Sequence, residues 1–120
     1  MTPTDFEFTM TMPGDARLVS AVRQLAAQAA GYAQLEAEVS ERLAVQVERA
    51  IESAVTSSAA AQAPIHVRFA GDGQTLDVVI STDAAGPGAA PSSTTSNGVT
   101  IEWTRDGTRQ TCHIRQPIPA

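Results

Sequence analysis

Two histidines, one cysteine and a glycine-rich segment are the parts of this chain that could take part in chemistry. His66 and His113 lie in runs of alternating apolar residues, and Cys112 directly precedes His113. Because successive strand residues point to opposite faces of a sheet, Cys112 and His113 cannot readily pair as a catalytic dyad. His66 is out of phase with Ile65 and Val67, so we expect its side chain to face solvent.

The segment Asp83–Gly88 reads Asp-Ala-Ala-Gly-Pro-Gly and is the second candidate. Glycines at residues 86 and 88 would let the backbone approach a bound ligand closely, because glycine has no Cβ atom. The structural alternative is a plain connecting loop, for which glycine and proline are equally typical. Taken alone, the segment does not decide between these two interpretations.

The charge of the chain argues against two classes of partner. The net charge is -5, the isoelectric point is about 4.8, and the basic residues are scattered along the sequence. Proteins that bind nucleic acid usually carry a basic stripe that displaces counterions from phosphates. We therefore expect neither a nucleic-acid partner nor an anionic membrane.

The single cysteine and the N-terminal residues indicate the cellular compartment of the protein. One thiol cannot form an internal disulfide, and no metal-ligand spacing surrounds Cys112, so we expect no metal site and a reducing environment. Residues 1–10 carry Asp5 and Glu7 and lack the basic and apolar regions of a signal peptide. No run reaches the roughly 20 apolar residues of a membrane span. These features predict a cytoplasmic protein.

Periodicity predicts the elements that position the candidate residues. Apolar residues alternate over 6–12, which indicates a strand, and Asp15 is suited to cap a helix that ends near Gly31. A second helix is predicted from about residue 34 to Ser57, with so broad an apolar surface that it should lie centrally between the sheet and the first helix.

Two hairpins follow, over residues 65–80 and 99–114, separated by a flexible loop at 83–97. The chain length fits a single domain over 1–120. The order β-α-α-β-β-β-β predicts an α+β two-layer sandwich, with two long helices packed on one face of a mainly antiparallel sheet.

Three segments together carry a family resemblance. Residues 12–15 (Met-Pro-Gly-Asp) precede a helix with Val22-Arg23, residues 47–55 are similar to an E-A-x-x-N-A-I/V helix box, and Asp83–Gly88 is similar to a D-x-G-P-G adenine box. In this combination the chain resembles the histidine-kinase-like ATPase fold of anti-sigma factor serine kinases. The resemblance covers most of the chain and implies one such domain without most of the ATP lid.

The resemblance also implies site residues, with departures from the family pattern. The family uses a glutamate as base and an asparagine four residues later as magnesium ligand. Arg49 and Ser53 stand at these positions, or Glu48 and Glu52 if the register shifts by one. The first pair does not suit catalysis because arginine cannot accept a proton. The second places a carboxylate at the metal position, where it would repel the phosphates. Kinase activity is therefore expected to be lost, with no catalytic residue. The nucleotide contacts that the resemblance implies are Ser53, Asp83, Gly86 and Gly88.

Three functions stay open from the sequence. The resemblance implies a non-catalytic regulatory module that binds a protein, either a sigma factor or an antagonist protein, by partner switching. One alternative is a nucleotide-binding domain that holds ATP or ADP with weak or lost kinase activity. Another is a structural or assembly domain unrelated to the ATPases, since similarity of fold does not establish function. Open strand edges in so small a sheet also predict a homodimer.

Overall fold

The computed structural model of this chain describes residues 6–13, 15–33, 35–57, 64–71, 74–83, 92–96, 99–107 and 109–117. The helices are α1 (Val19–Tyr32), which a 3-10 turn at Ala16–Leu18 precedes, and α2 (Ala37–Ser57). The strands are β1 (Phe6–Pro13), β2 (Pro64–Gly71), β3 (Thr75–Asp83), β4 (Ser92–Ser96), β5 (Val99–Asp106) and β6 (Arg109–Pro117).

The strands form one antiparallel sheet of six, in the order β1-β2-β3-β6-β5-β4. Both helices come between β1 and β2 in the chain and pack on one side of the sheet. The expected fold class is confirmed: the chain is an α+β two-layer sandwich. We call the sheet surface beneath the helices the inner face and the opposite surface the open face.

β4 lies inside the stretch 83–97 that the sequence predicted to be a flexible loop, and that prediction was wrong for this part. Asp83 is likewise the last residue of β3. Serine and threonine give no apolar alternation, so the hydrophobic pattern could not reveal β4. The strand forms because pairing with β5 satisfies its backbone groups, while its central residues Ser93, Thr94 and Thr95 are exposed. Residues 84–91 and 97–98 lie outside the described residues.

Alternation along the strands builds the core on the inner face. In β2, Ile65, Val67 and Phe69 are buried, whereas His66 and Arg68 are exposed on the open face, as predicted for His66. β3 and β6 alternate in the same way. A sheet with one buried and one solvated face is the usual outcome of this pattern in antiparallel proteins.

α2 is the central helix, as its broad apolar surface predicted. Leu43, Val47 and Ile51 are fully buried, and the helix packs against α1 as well as the sheet. It begins at Ala37 and not near residue 34, because the amide of Leu35 donates to Ala30 O at 3.0 Å and closes α1 first. Such bonds satisfy carbonyls that the end of a helix leaves without a partner.

Asp15 caps the 3-10 turn that leads into α1, whereas the N-cap of α1 itself is Leu18, without a side-chain cap hydrogen bond. Its Oδ1 accepts the backbone N–H of Arg17 at 2.9 Å, and its Oδ2 accepts Nη2 of the same arginine at 2.7 Å. The side-chain hydrogen bonds from Arg17, and then the backbone one, lower the pKa of Asp15 from 3.8 to about 2. The cap is therefore fully charged above pH 3.8 and is lost only as the pH falls through about 2.

The spacing of helices and strands decides how much of the sheet is covered. Helices pack about 10 Å apart and strands about 4.8 Å apart, so one helix covers about two strands. α2 lies over β3 and β6, and α1 lies on the β1 side, where the Tyr32 and Phe6 ring centroids are 5.9 Å apart. The two helices thus cover four strands, and β5 and β4 extend beyond α2. Accordingly, Ile101 and Trp103 of β5 are only partly buried.

Candidate functional site

Ser53 and Asp83, two of the nucleotide contacts that the resemblance implied, lie on different sides of the sheet. Ser53 is exposed on α2, which packs over the inner face. Asp83 is opposite Arg109 in the β3–β6 ladder and out of phase with the buried residues of β3, so its side chain points to the open face. Gly86 and Gly88 lie outside the described residues. The structure therefore does not bring Ser53 and Asp83 together.

Cys112 and His113 face opposite sides of the sheet, as alternation predicted. Cys112 is fully buried in the core, and burial raises the pKa of its thiol to about 12, so it is protonated and unreactive at neutral pH. On the open face, Nε2 of His113 lies 3.1 Å from Oδ1 of Asp77, which also accepts Nε of Arg115 at 3.2 Å. Such cross-strand pairs are typical of a solvated sheet surface and do not indicate a catalytic centre.

A groove runs along the flank of α2, where β5 and β4 extend past the helix. Its volume is about 380 Å³. Its wall is the part of α2 from Glu38 to Arg49, and its floor is the inner face of β5 and β4 together with Gln116 of β6. The apolar residues of the groove come from both layers and are Val39, Val45, Val99 and Ile101. We call this feature the α2 groove.

The rim of the α2 groove carries charges that mostly compensate each other. Nη2 of Arg42 lies 3.9 Å from Oε1 of Glu38, and Nη2 of Arg23, on α1, lies 4.0 Å from Oε1 of Glu41. Arg49, at the other end of the wall, has no hydrogen bond or ion pair with another described residue. The groove therefore combines a partly apolar floor, a charged rim and, in Arg49, an arginine with no ion pair to another described residue, a mixture of apolar and polar groups that is typical of protein-binding surfaces.

Sequence reasoning did not find this groove, although part of its signal was present. Val39 and Val45 make the apolar surface of α2 broader than is needed for packing against α1 and against the sheet beneath α2. The missing information was β4, because a five-stranded sheet under two helices would leave only one strand uncovered. With β4 in place, a strip of two strands has no helix over it among the residues that the structure describes.

Neither metal binding nor membrane insertion is indicated by the described part of the chain. Within it, no three histidine, cysteine, aspartate or glutamate side chains are grouped so that they could hold a metal ion. Neither α1 nor α2 combines the length and apolarity that a membrane crossing requires.

No family model matches the sequence, and a search of curated proteins gives no match either. The geometry of the α2 groove therefore carries the functional conclusion.

Proposed function

We propose that this chain is a non-catalytic protein-binding module that holds an amphipathic helix of a partner protein in the α2 groove. The observation that carries the proposal is the strip of inner face over β5 and β4, which is one helix wide and has no helix of this chain over it within the described residues. A partner helix there would lie parallel to α2 and complete the helical layer.

The dimensions and chemistry of the groove define the partner. From Glu38 to Arg49 the wall is about 17 Å long, which matches about three turns of helix. Apolar residues at i, i+3, i+4 and i+7 of the partner would cover Val45, Val99 and Ile101, as in other helix-in-groove complexes. Arg49 favours a carboxylate at one end of the partner helix, because an arginine pairs well with a carboxylate.

The family resemblance supports a regulatory role for this binding. Anti-sigma factor serine kinases pair with sigma factors and antagonist proteins. Because Arg49 and Ser53 replace the base and the magnesium ligand of that family, we expect this chain to bind such a partner without transferring a phosphoryl group. In this proposal the partner helix belongs to a sigma factor or an antagonist protein, and the module works by exchanging one such partner for another.

The proposal is tested with a synthetic alanine-based helix that carries leucines at i, i+3, i+4 and i+7 and glutamates at one end. Its fluorescence anisotropy should rise on titration with the protein. Ile101→Glu and Val45→Glu should each weaken binding at least tenfold, because each places a carboxylate on the apolar surface. Arg115→Glu is the matched control on the open face and should change the affinity less than twofold.

A charge exchange makes the test specific to the groove. Arg49→Glu should weaken binding of the glutamate peptide severalfold and strengthen binding of the same peptide carrying lysines instead. A peptide of identical composition with its leucines scattered around the helix should not bind. Equal binding of the two peptides, or unchanged affinity of both Ile101→Glu and Val45→Glu in folded protein, would overturn the proposal.

A further inference from the structure

β1 is an edge strand of the described sheet with little to prevent further pairing. It pairs with β2 on one side over all eight of its residues, and its edge carries no lysine, while its proline is at the last position. Its one charge, Glu7, is engaged by Arg68, whose Nε donates to Oε2 at 2.8 Å. Long, regular edges of this kind are templates for pairing with another strand unless a protein protects them.

The residues of β1 are symmetric about Thr9. If a second β1 pairs antiparallel with Thr9 opposite Thr9, Phe8 is opposite Met10 and Phe6 is opposite Met12. Each copy then contributes aromatic and thioether side chains to the same face, where sulfur–aromatic contacts are favourable. On the open face Glu7 is opposite Thr11, so no like charges meet. This register also pairs all four inner-face residues of β1, whereas a register centred on Met10 pairs as many residues in total but leaves Phe6 without a partner.

α1 has a matching symmetry on the flank that faces away from α2. The residues on this flank are spaced as on one stripe of a helix. They are Leu18, at the end of the 3-10 turn, and Ala21, Leu25, Gln28 and Tyr32 of α1. None is charged, and the ring of Tyr32 is 67% exposed. The one charged residue of α1, Arg23, is on the α2 side, where Nη1 lies 3.4 Å from Oε2 of Glu48. A solvated helix normally carries charges on its exposed face, so this stripe suits contact with another apolar surface.

The two symmetric patterns coincide in space. α1 follows β1 in the chain and returns along it, since Tyr32 at its end contacts Phe6 at the start of β1. Fourteen helical steps from Leu18 to Tyr32 span about 21 Å, and six strand steps from Phe6 to Met12 span about 20 Å. Equal lengths measured from the Tyr32–Phe6 contact place Leu25, the midpoint of the stripe, beside Thr9, the midpoint of Phe6–Met12.

From this coincidence we infer that two copies of the chain form a dimer with its two-fold axis through Thr9 and Leu25. β1 pairs with β1 of the second copy, so that two sheets of six strands become one continuous sheet. α1 packs antiparallel against α1 of the second copy, with Leu25 against Leu25 and Leu18 against Tyr32. Because one helix covers about two strands, the two α1 helices are then about 10 Å apart, which is a normal packing distance.

Cysteine cross-linking tests the position of the axis. Antiparallel partners have Cα atoms about 4.5–5.5 Å apart, within the range of a disulfide. Thr9→Cys should therefore convert to a reducible covalent dimer under mild oxidation, and the buried Cys112 should not interfere. Thr94→Cys, at the centre of the other edge strand, β4, is the control and should remain monomeric on a denaturing gel. Cross-linking of the control alone, or of both variants at equal rates, would overturn the inference.

A charge pair at the axis supplies an independent test. In the dimer, residue 25 of one copy faces residue 25 of the other. Leu25→Glu and Leu25→Lys each bring two like charges together there, so each variant should sediment as a monomer. Mixed in equal amounts, the two variants should form a heterodimer, because glutamate then meets lysine across the axis. Wild type that sediments as a monomer at all concentrations up to about 0.5 mM, well above the Kd of a stable dimer, would also overturn the inference.

Discussion

Asp83 shows that the role of a residue depends on its environment in the fold. In the sequence it follows an apolar run and precedes a glycine-rich segment, which is the context of an adenine-binding aspartate in the family that the chain resembles. In the fold it faces away from α2, opposite Arg109, while Ser53 lies on the helical side. A residue type in the right order along the chain is therefore not enough to form a site.

This placement makes a prediction about nucleotides. We expect calorimetric titration with ATP or ADP, with and without magnesium, to give no heat that depends on Asp83, because Asp83 and Ser53 cannot contact one ligand together. Asp83→Asn should leave the titration unchanged. If nucleotide binds and Asp83→Asn removes that binding, the chain is a nucleotide-binding domain and the proposal of a helix-binding module must be revised.

At the scale of elements, α2 and β4 are stabilised in opposite ways. α2 is determined by its own sequence, because its buried positions recur at helical spacing and Leu43, Val47 and Ile51 all reach the core. β4 contains only serine and threonine and is held by its ladder with β5. A strand whose side chains contribute little to burial depends on its neighbour for stability.

The contribution of α2 to stability can be measured with a matched pair of substitutions. Leu43→Ala removes a fully buried side chain and should lower the free energy of unfolding by about 2–5 kcal/mol in urea denaturation. Ser53→Ala changes an exposed residue of the same helix and should alter it by less than about 0.5 kcal/mol. Equal effects of the two substitutions would mean that α2 is not the central helix.

At the scale of the whole molecule, the ratio of helices to strands determines both proposed surfaces. Six strands need about three helices to cover one face, and this chain supplies two long ones in its described part. α2 takes the centre and α1 the β1 side. At the β4 edge, a strip over β5 and β4 has no helix over it among the described residues. At the other edge, β1 and the flank of α1 match the same surface of a second copy. The two surfaces lie at opposite ends of the sheet.

The dimer and the groove should therefore act independently. Counting strand spacings from the two-fold axis, each α2 groove is about 24 Å from it, so the two grooves are too far apart for one helix to occupy both. We expect one peptide per chain in titrations. The monomeric variant Leu25→Glu should bind the leucine-striped peptide within about twofold of wild type. A tenfold loss would show that the β1 edge and the α2 groove are coupled.

The sequence by itself determined what depends on local periodicity. Alternation and helical spacing located both helices and five of the strands, placed His66 on the open face and set Cys112 and His113 on opposite sides. Asp15 was identified as a cap because capping is a local interaction between a side chain and nearby backbone.

Only the tertiary structure decided which strands pair outside the two predicted hairpins and where the layer of helices ends. β3 pairs with β6, and β1 pairs with β2, through residues that are distant in the chain, and β4 adds an edge strand beside β5. Backbone hydrogen bonds are almost the same for every residue type, so a sequence carries little information about which strand will pair with which. The α2 groove and the coincidence of Thr9 with Leu25 follow from these pairings, and for that reason neither could be predicted from the residues alone.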